Sequence, residues 1–371
     1  MSYRKKVIAA ALLSLSTLAP ASFASAADLP YKVKAKPVPD IPFFLVIDDR
    51  ITYSYIFKGT DPGNYTINPN GTVNGNTAKQ VYSFTHFDVW GYGTNFFTIS
   101  MFKSDHNDAA NPCLGAPTST AIIGGGNSNC AGATEIYGLF RSTFGWNELF
   151  GTKAFSMGPL HNISFEVGAD ANTENNFLTP AKRDFVAGLQ FAFDLPYKGY
   201  INVAPLAYKE INHNAFDQCG LFGPGIPGVT CLIDGNTNFH TTWAVEINYY
   251  MDLGFLPENM QYFAISGRAG FYGPKGNQNA PLGPLGGGTP TKTELNSEPI
   301  RLTFDASKAI WGAKYSQFVT TWVAWRYWQN KFGLDHNTAL GGPGVCVLAG
   351  TTISTNTCTE NTVYAGVTVK F

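Results

Sequence analysis

The chain has 371 residues, of which 14% are charged and 14% aromatic, and its net charge is −1. Soluble domains average about 25% charged residues, so this composition argues against an ordinary soluble enzyme. After residue 26 no run of 18 apolar residues offers a membrane-spanning helix, and no basic patch points to a nucleic-acid polymer as partner.

The first elements in chain order are not structural. Arg4, Lys5 and Lys6 precede an apolar run at 7–18, and Ala24-Ser25-Ala26 supplies an A-x-A cleavage site. Residues 1–26 therefore read as a secretory signal peptide. Its removal takes away three cations and leaves about −4. Residues 27–42 carry Lys32, Lys34, Lys36, Pro37 and Pro39 and read as an extended periplasmic tail.

From 43 to 371 the chain alternates between period-2 apolar segments and turn-rich connections. Strands are predicted at 43–57, 81–90, 95–103, 135–144, 161–169, 184–193, 200–209, 240–250, 261–271, 299–305, 315–328 and 362–371. The connections between them run long, short, long, medium, long, short, long, short, long, short, long. Bacterial outer-membrane barrels have an even strand number, short periplasmic turns and long outer loops. The sequence thus predicts an all-β fold: a transmembrane antiparallel β-barrel of about 12 strands, with long extracellular loops and short periplasmic turns. A soluble β-sandwich, which also offers many short strands, is the competing architecture.

Strand faces agree with a barrel. Ile163, Phe165, Val167 and Ala169 alternate with Asn162, Ser164, Glu166 and Asp170. Ile300, Leu302 and Phe304 alternate with Arg301, Thr303 and Asp305. One face suits lipid and the other is polar. Tyr249, Tyr250, Trp325, Tyr327 and Trp328 at strand ends fit an interfacial girdle.

The six cysteines form three local pairs, Cys113 with Cys130, Cys219 with Cys231 and Cys346 with Cys358. Each pair lies inside a long connection, and none has metal-ligand spacing. They are expected to be disulfide staples of outer loops, each closing a loop worth about 3 kcal/mol in the loop-entropy model.

Strand parity assigns charged side chains to the lumen: Arg50, His86, Asp88, Glu135, Arg141, Glu166, Asp184, Glu246, Arg268, Arg301, Arg326 and Lys370. Such groups either brace the wall as ion pairs or set the field of the pore. Their mixed signs favour a neutral polar solute. Tyr82, Phe84, Trp90, Phe318 and Trp322 are expected on the same face, where rings pack the wall or stack on solutes.

The run Tyr82-Ser-Phe84-Thr-His86-Phe-Asp88-Val-Trp90-Gly91-Tyr92-Gly93-Thr-Asn95-Phe96-Phe97 resembles the second hairpin of the Tsx-like nucleoside-specific channel family. In that family an aromatic-rich strand with a Trp enters a Tyr-Gly turn and then a Phe-rich strand. The resemblance implies a twelve-stranded monomeric barrel that passes nucleosides. Thr98-Ile99-Ser100 stand where the family often carries an acidic residue, and three cysteine pairs are not a feature of it. The closing segment Val363 to Phe371, with its terminal Phe, resembles the last strand of outer-membrane proteins that the assembly machinery reads.

The expected function is passive uptake of small polar solutes across the bacterial outer membrane, nucleosides first, without cofactor or metal. Lipid bilayer, lipopolysaccharide and the assembly machinery are the expected partners. The alternatives are a general or sugar-selective porin, a structural or adhesive surface barrel, and an outer-membrane hydrolase. For the hydrolase, His161 and Ser164 are three apart and point to opposite faces, and no G-x-S-x-G or H-E-x-x-H motif occurs.

Overall fold

A computed structural model describes residues 43–105, 108, 132–175, 181–213, 225–279, 292–337 and 345–371. Twelve long strands occur among the described residues: β1 (Phe44–Gly59), β2 (Thr77–Trp90), β3 (Gly93–Ser104), β4 (Thr134–Gly145), β5 (Leu160–Glu174), β6 (Ala181–Leu195), β7 (Gly199–His213), β8 (Thr242–Asp252), β9 (Phe263–Tyr272), β10 (Glu294–Asp305), β11 (Val319–Gln329) and β12 (Thr359–Lys370). Every strand pairs antiparallel with its sequence neighbours, and β12 pairs with β1, with Thr368 opposite Thr52. The sheet therefore closes into an up-and-down ring with no free edge, and the main-chain polar groups of the strands are satisfied within it. No helix among the described residues is long and apolar enough to cross a membrane.

Sequence dictates the irregularity in the two ladders of β10. Pro299 has no N–H to donate, so the pairings of β10 slip on both sides, between Ser266 and Arg268 of β9 and between Ser297 and Ile300 of β10 itself. The Tyr249 hydroxyl donates to the Pro299 carbonyl at 2.9 Å. Gly93 is forced for a different reason: a Cβ there would meet the Thr143 carbonyl oxygen at 1.9 Å, because β4 crosses against the tight Gly91-Tyr92 turn.

The predicted sorting of connections holds at the two ends of the ring for all but one of them. One end carries the connections 91–92, 146–159, 196–198, 253–262 and 306–318, together with the start of β1 and the end of β12. The helix α1 (Trp146–Leu149) lies in the second of these and α2 (Ala306–Trp311) in the last. The Asp305 carboxylate caps α2 by accepting from the Lys308 N–H, and it also accepts from Ser316 Oγ and the Gln317 N–H. At the opposite end the chain leaves and re-enters the ring across 60–76, 105–133, 175–180, 214–241, 273–293 and 330–358. The third of these is shorter than predicted. Strands β5 and β6 continue their alternation to Glu174 and from Ala181, and the polar residues there read from sequence as loop.

Cys346 and Cys358 are joined, and Cys231 is disulfide-bonded. All three belong to connections at the long-loop end. Cys113, Cys130 and Cys219 lie outside the described residues.

Candidate pore lining

The ring encloses a cavity of about 1520 Å³. Tyr197, Gly254 and Gln261 line it at the short-turn end, and Asp61, Asn64 and Leu334 line it at the long-loop end. Alternate residues of each strand point into it, which is the consequence of strand pleating. Of the predicted site residues, Arg141, Glu166, Glu246, Arg268, Arg301, Trp322 and Arg326 line the cavity, as do Arg50 and Glu135. Asp184 is buried against Lys182 at 3.2 Å, and Lys370 reaches Asp48 at 2.8 Å. Phe318 stands just before β11 and does not line the cavity.

Strand β2 faces the other way from the prediction. Lys79, Val81, Ser83, Thr85, Phe87 and Val89 line the cavity; Tyr82, Phe84, His86 and Asp88 point outward. Trp90 sits at the rim, stacked on Phe43 at 5.8 Å and edge-on to Tyr92 and Phe144. Outside the ring the polar pair is held in a chain of its own. His86 Nδ1 lies 2.7 Å from Asp49 and Nε2 lies 3.1 Å from Asp88. Asn95 donates to Asp88 at 2.9 Å, and Ser142 donates to the Asn95 oxygen at 2.7 Å. Mutual hydrogen bonding is what lets charged groups stand on an otherwise apolar face. A usable signal was present in the sequence. The two-residue turn pairs Phe84 with Ile99 and Tyr82 with Met101, so the apolar phase Phe97, Ile99, Met101 of β3 fixes which face of β2 is outward.

The lumenal charges are organised by pairing. Arg141 of β4 reaches Glu246 of β8 with two bonds, 2.9 Å from Nε and 2.7 Å from Nη2, and also holds Asp170 of β5. Since β4 and β8 are not neighbours, this Arg141–Glu246 fork is a chord across part of the lumen. Tyr137 donates to Asp170 at 3.0 Å, Tyr272 donates to Glu246 at 3.1 Å, and Gln190 donates to Glu166 at 2.8 Å. Nearer the long-loop end, Lys275 meets Glu210, whose other donors include Tyr208 and Asn212, and the Trp328 indole donates to Glu294 at 2.8 Å. On the far side Glu360 takes both Arg326 and Lys331. Burial in the 330–358 connection holds the Lys331 ammonium below the ordinary lysine range, although Glu360 lies 2.7 Å away and opposes that shift. Lys182, Lys275, Glu210 and Glu294 were not singled out from sequence, because all four sit in segments that read as loop.

The lining aromatics fall into two groups. Trp322 is fully engaged: it covers Gly366, the Arg301 guanidinium lies 3.9 Å from the centre of a ring, Tyr364 packs edge-on at 4.9 Å, and its indole donates to Thr368 at 3.1 Å. It braces the wall. Phe87 and Phe96 are instead a directly opposed cross-strand pair that faces the cavity. Around this pair the lumen face of β1–β4 carries Thr52, Ser83, Thr85 and Leu139, together with the charged Asp48, Arg50, Lys79, Glu135 and Arg141.

No family model matches the chain, and no curated protein matches it. Among solved structures, LpxR from Salmonella typhimurium aligns over 87% of this chain and 100% of its own, at 9% identity and a TM-score of 0.35. The TodX deltaS2S3 mutant monoaromatic hydrocarbon channel aligns over 87% and 90%, at 7% identity and 0.34. Pseudomonas aeruginosa OccK5 (OpdH) aligns over 89% and 98%, at 7% identity and 0.21. The fold assignment rests on the strand register described above.

Proposed function

We propose that this chain is a bacterial outer-membrane diffusion channel for small polar solutes, with nucleosides as the first class. One observation carries the proposal. A single cavity, lined by residues from both rims, runs inside a closed ring whose outer face is apolar. A ring with an apolar exterior and a polar interior matches a bilayer outside and water inside. The outward residues Ile51, Ile99, Phe165, Val167, Phe185, Trp243, Leu302 and Val323 are exposed. In water they would form an apolar surface far larger than monomeric proteins carry. The strands, ten residues long at the shortest, are long enough to span a bilayer when tilted.

Twelve strands fall between eight, which side chains fill, and sixteen, which leave a wide channel. The Arg141–Glu246 chord narrows the lumen further. Passage therefore involves close contact with the wall. A flat ring has Phe87 and Phe96 to stack on, and the hydroxyls of Thr52, Ser83 and Thr85 to exchange hydrogen bonds with, each contact weak enough to be released. The partners under this reading are the bilayer with its lipopolysaccharide, the assembly machinery acting on the segment that ends in Phe371, and the solute; no cofactor and no nucleic-acid polymer takes part.

Liposome swelling tests the proposal. Vesicles carrying the protein should swell faster in nucleosides than in size-matched sugars. Equal rates would make it a general porin, and no swelling above empty vesicles would make it a structural or adhesive barrel.

A further inference from the structure

We infer that Arg268 and Asn248 form an anion subsite in the lumen, which selects ring-bearing solutes that carry a carboxylate. The inference rests on the channel reading and adds a carboxylate-bearing class of ring solutes beside the neutral nucleosides.

The lumenal arginines are not equivalent. Arg50 is held by Asp48, Arg141 by Glu246 and Asp170, Arg301 by Glu298 and Arg326 by Glu360. Arg268 lines the same cavity, is exposed into it, and makes no hydrogen bond or ion pair with any described residue. Its acidic neighbours are already engaged by other donors, with Glu246 in electrostatic reach of Arg268 but not bonded to it. Glu246 takes the Arg141 fork and the Tyr272 hydroxyl, and Glu298 takes Arg301 from two nitrogens at 2.5 and 3.1 Å. Arg268 therefore presents its planar fork of N–H donors to the lumen, a shape that matches a carboxylate with two parallel bonds.

A second donor stands beside it. Asn248 of β8 is directly opposite Arg268 of β9 in the ladder. Its side-chain oxygen accepts from Asn202 at 3.1 Å, and its NH₂ group donates to no described residue. Two neighbouring strands thus offer donors side by side at this point.

Across the ring lies the apolar half of the site. In the closed order, β3 is as far from β9 as any strand, and it carries Phe96. Phe96 points into the lumen, yet 37% of it is exposed, and it is paired with Phe87. A solute with a charged head and a flat body meets donors on one wall and ring faces on the other. A neutral solute of the same shape meets the rings without gaining a charge-assisted pair of bonds.

The test uses the full chain in planar bilayers, with sodium benzoate and neutral benzamide as probes. Benzoate should reduce the single-channel current more strongly than benzamide. Arg268→Gln should weaken the benzoate effect about tenfold, the scale of losing a charge-assisted bond, and leave the benzamide effect unchanged. Arg268→Lys should fall between, since it keeps the charge and loses the fork. Phe96→Ala should weaken the action of benzoate but not that of acetate. Because Arg268 bonds no described protein group, its variants should keep the wild-type circular dichroism. Equal action of the two probes on the wild type, or a benzoate effect that survives Arg268→Gln, overturns the inference while the channel stands. If no current flows at all, the channel reading falls, and saturation-transfer NMR of benzoate with the detergent-solubilised protein decides the subsite. Binding that Arg268→Gln abolishes supports it, and absent or Arg268-independent binding overturns it.

Discussion

Replacing Arg141 by alanine should be among the most damaging single changes in the lumen. Arg141 is 9% exposed and serves carboxylates on two strands: Glu246 through two bonds of 2.9 and 2.7 Å, and Asp170 through a third. Glu166 lies 3.9 Å away as well. Its removal leaves three acidic groups close together without the guanidinium that bridges them, and only Lys182 and Arg268 remain as cations within electrostatic reach. Breaking a buried pair from one side costs about 3–5 kcal/mol, because the partner stays behind uncompensated. Water in the lumen moves the expectation to the lower end, about 3 kcal/mol. Urea unfolding of the bilayer-folded protein, followed by tryptophan fluorescence, measures it. Glu246→Gln should cost less than Arg141→Ala, since the amide still accepts from the guanidinium. The two changes together should cost less than their sum, by about 0.5–3 kcal/mol of coupling. Single-channel conductance should rise in Arg141→Ala, because the chord between β4 and β8 is gone. If Arg141→Ala unfolds within about 1 kcal/mol of the wild type and conducts equally, the chord is not a structural element of the lumen and the reasoning fails.

Three other expectations follow from the same geometry. In β2, a water-soluble thiol reagent should label Thr85→Cys and not Phe84→Cys, which a lipid-soluble reagent should reach; the reverse pattern would restore the predicted facing. On the outer wall, Val167→Arg should cost about 2–4 kcal/mol in bilayer-folded protein, the mid-membrane value for a lipid-facing cation, and a change under 1 kcal/mol would argue against lipid at that position. Replacing Cys346 and Cys358 together by alanine should lower stability by about 3 kcal/mol through the unfolded chain and speed proteolysis of the 330–358 connection while sparing the strands; wild-type resistance to protease would show that the staple is dispensable.

Much of this protein was legible in one dimension. Alternation of period two, turn residues between segments, and the sorting of long and short connections suffice to give twelve antiparallel strands, because each depends only on near neighbours in the chain. The cysteine pair at 346 and 358 was legible for the same reason. Strand β2 was harder, since polar and aromatic residues occur in both of its phases, and His86 with Asp88 drew the eye inward. Its facing followed from pairing with Phe97, Ile99 and Met101 across the turn, which is local information once the turn length is known. Other features depended on closure. That Arg141 spans to Glu246, that Trp322 is sealed between Gly366 and Arg301, and that Arg268 bonds to no described side chain are facts about which strands meet around a ring. Which residues of a strand share a face is set locally, since pleating is a property of one strand. Which inward residues touch is decided only when β12 joins β1 and the diameter of the ring is set.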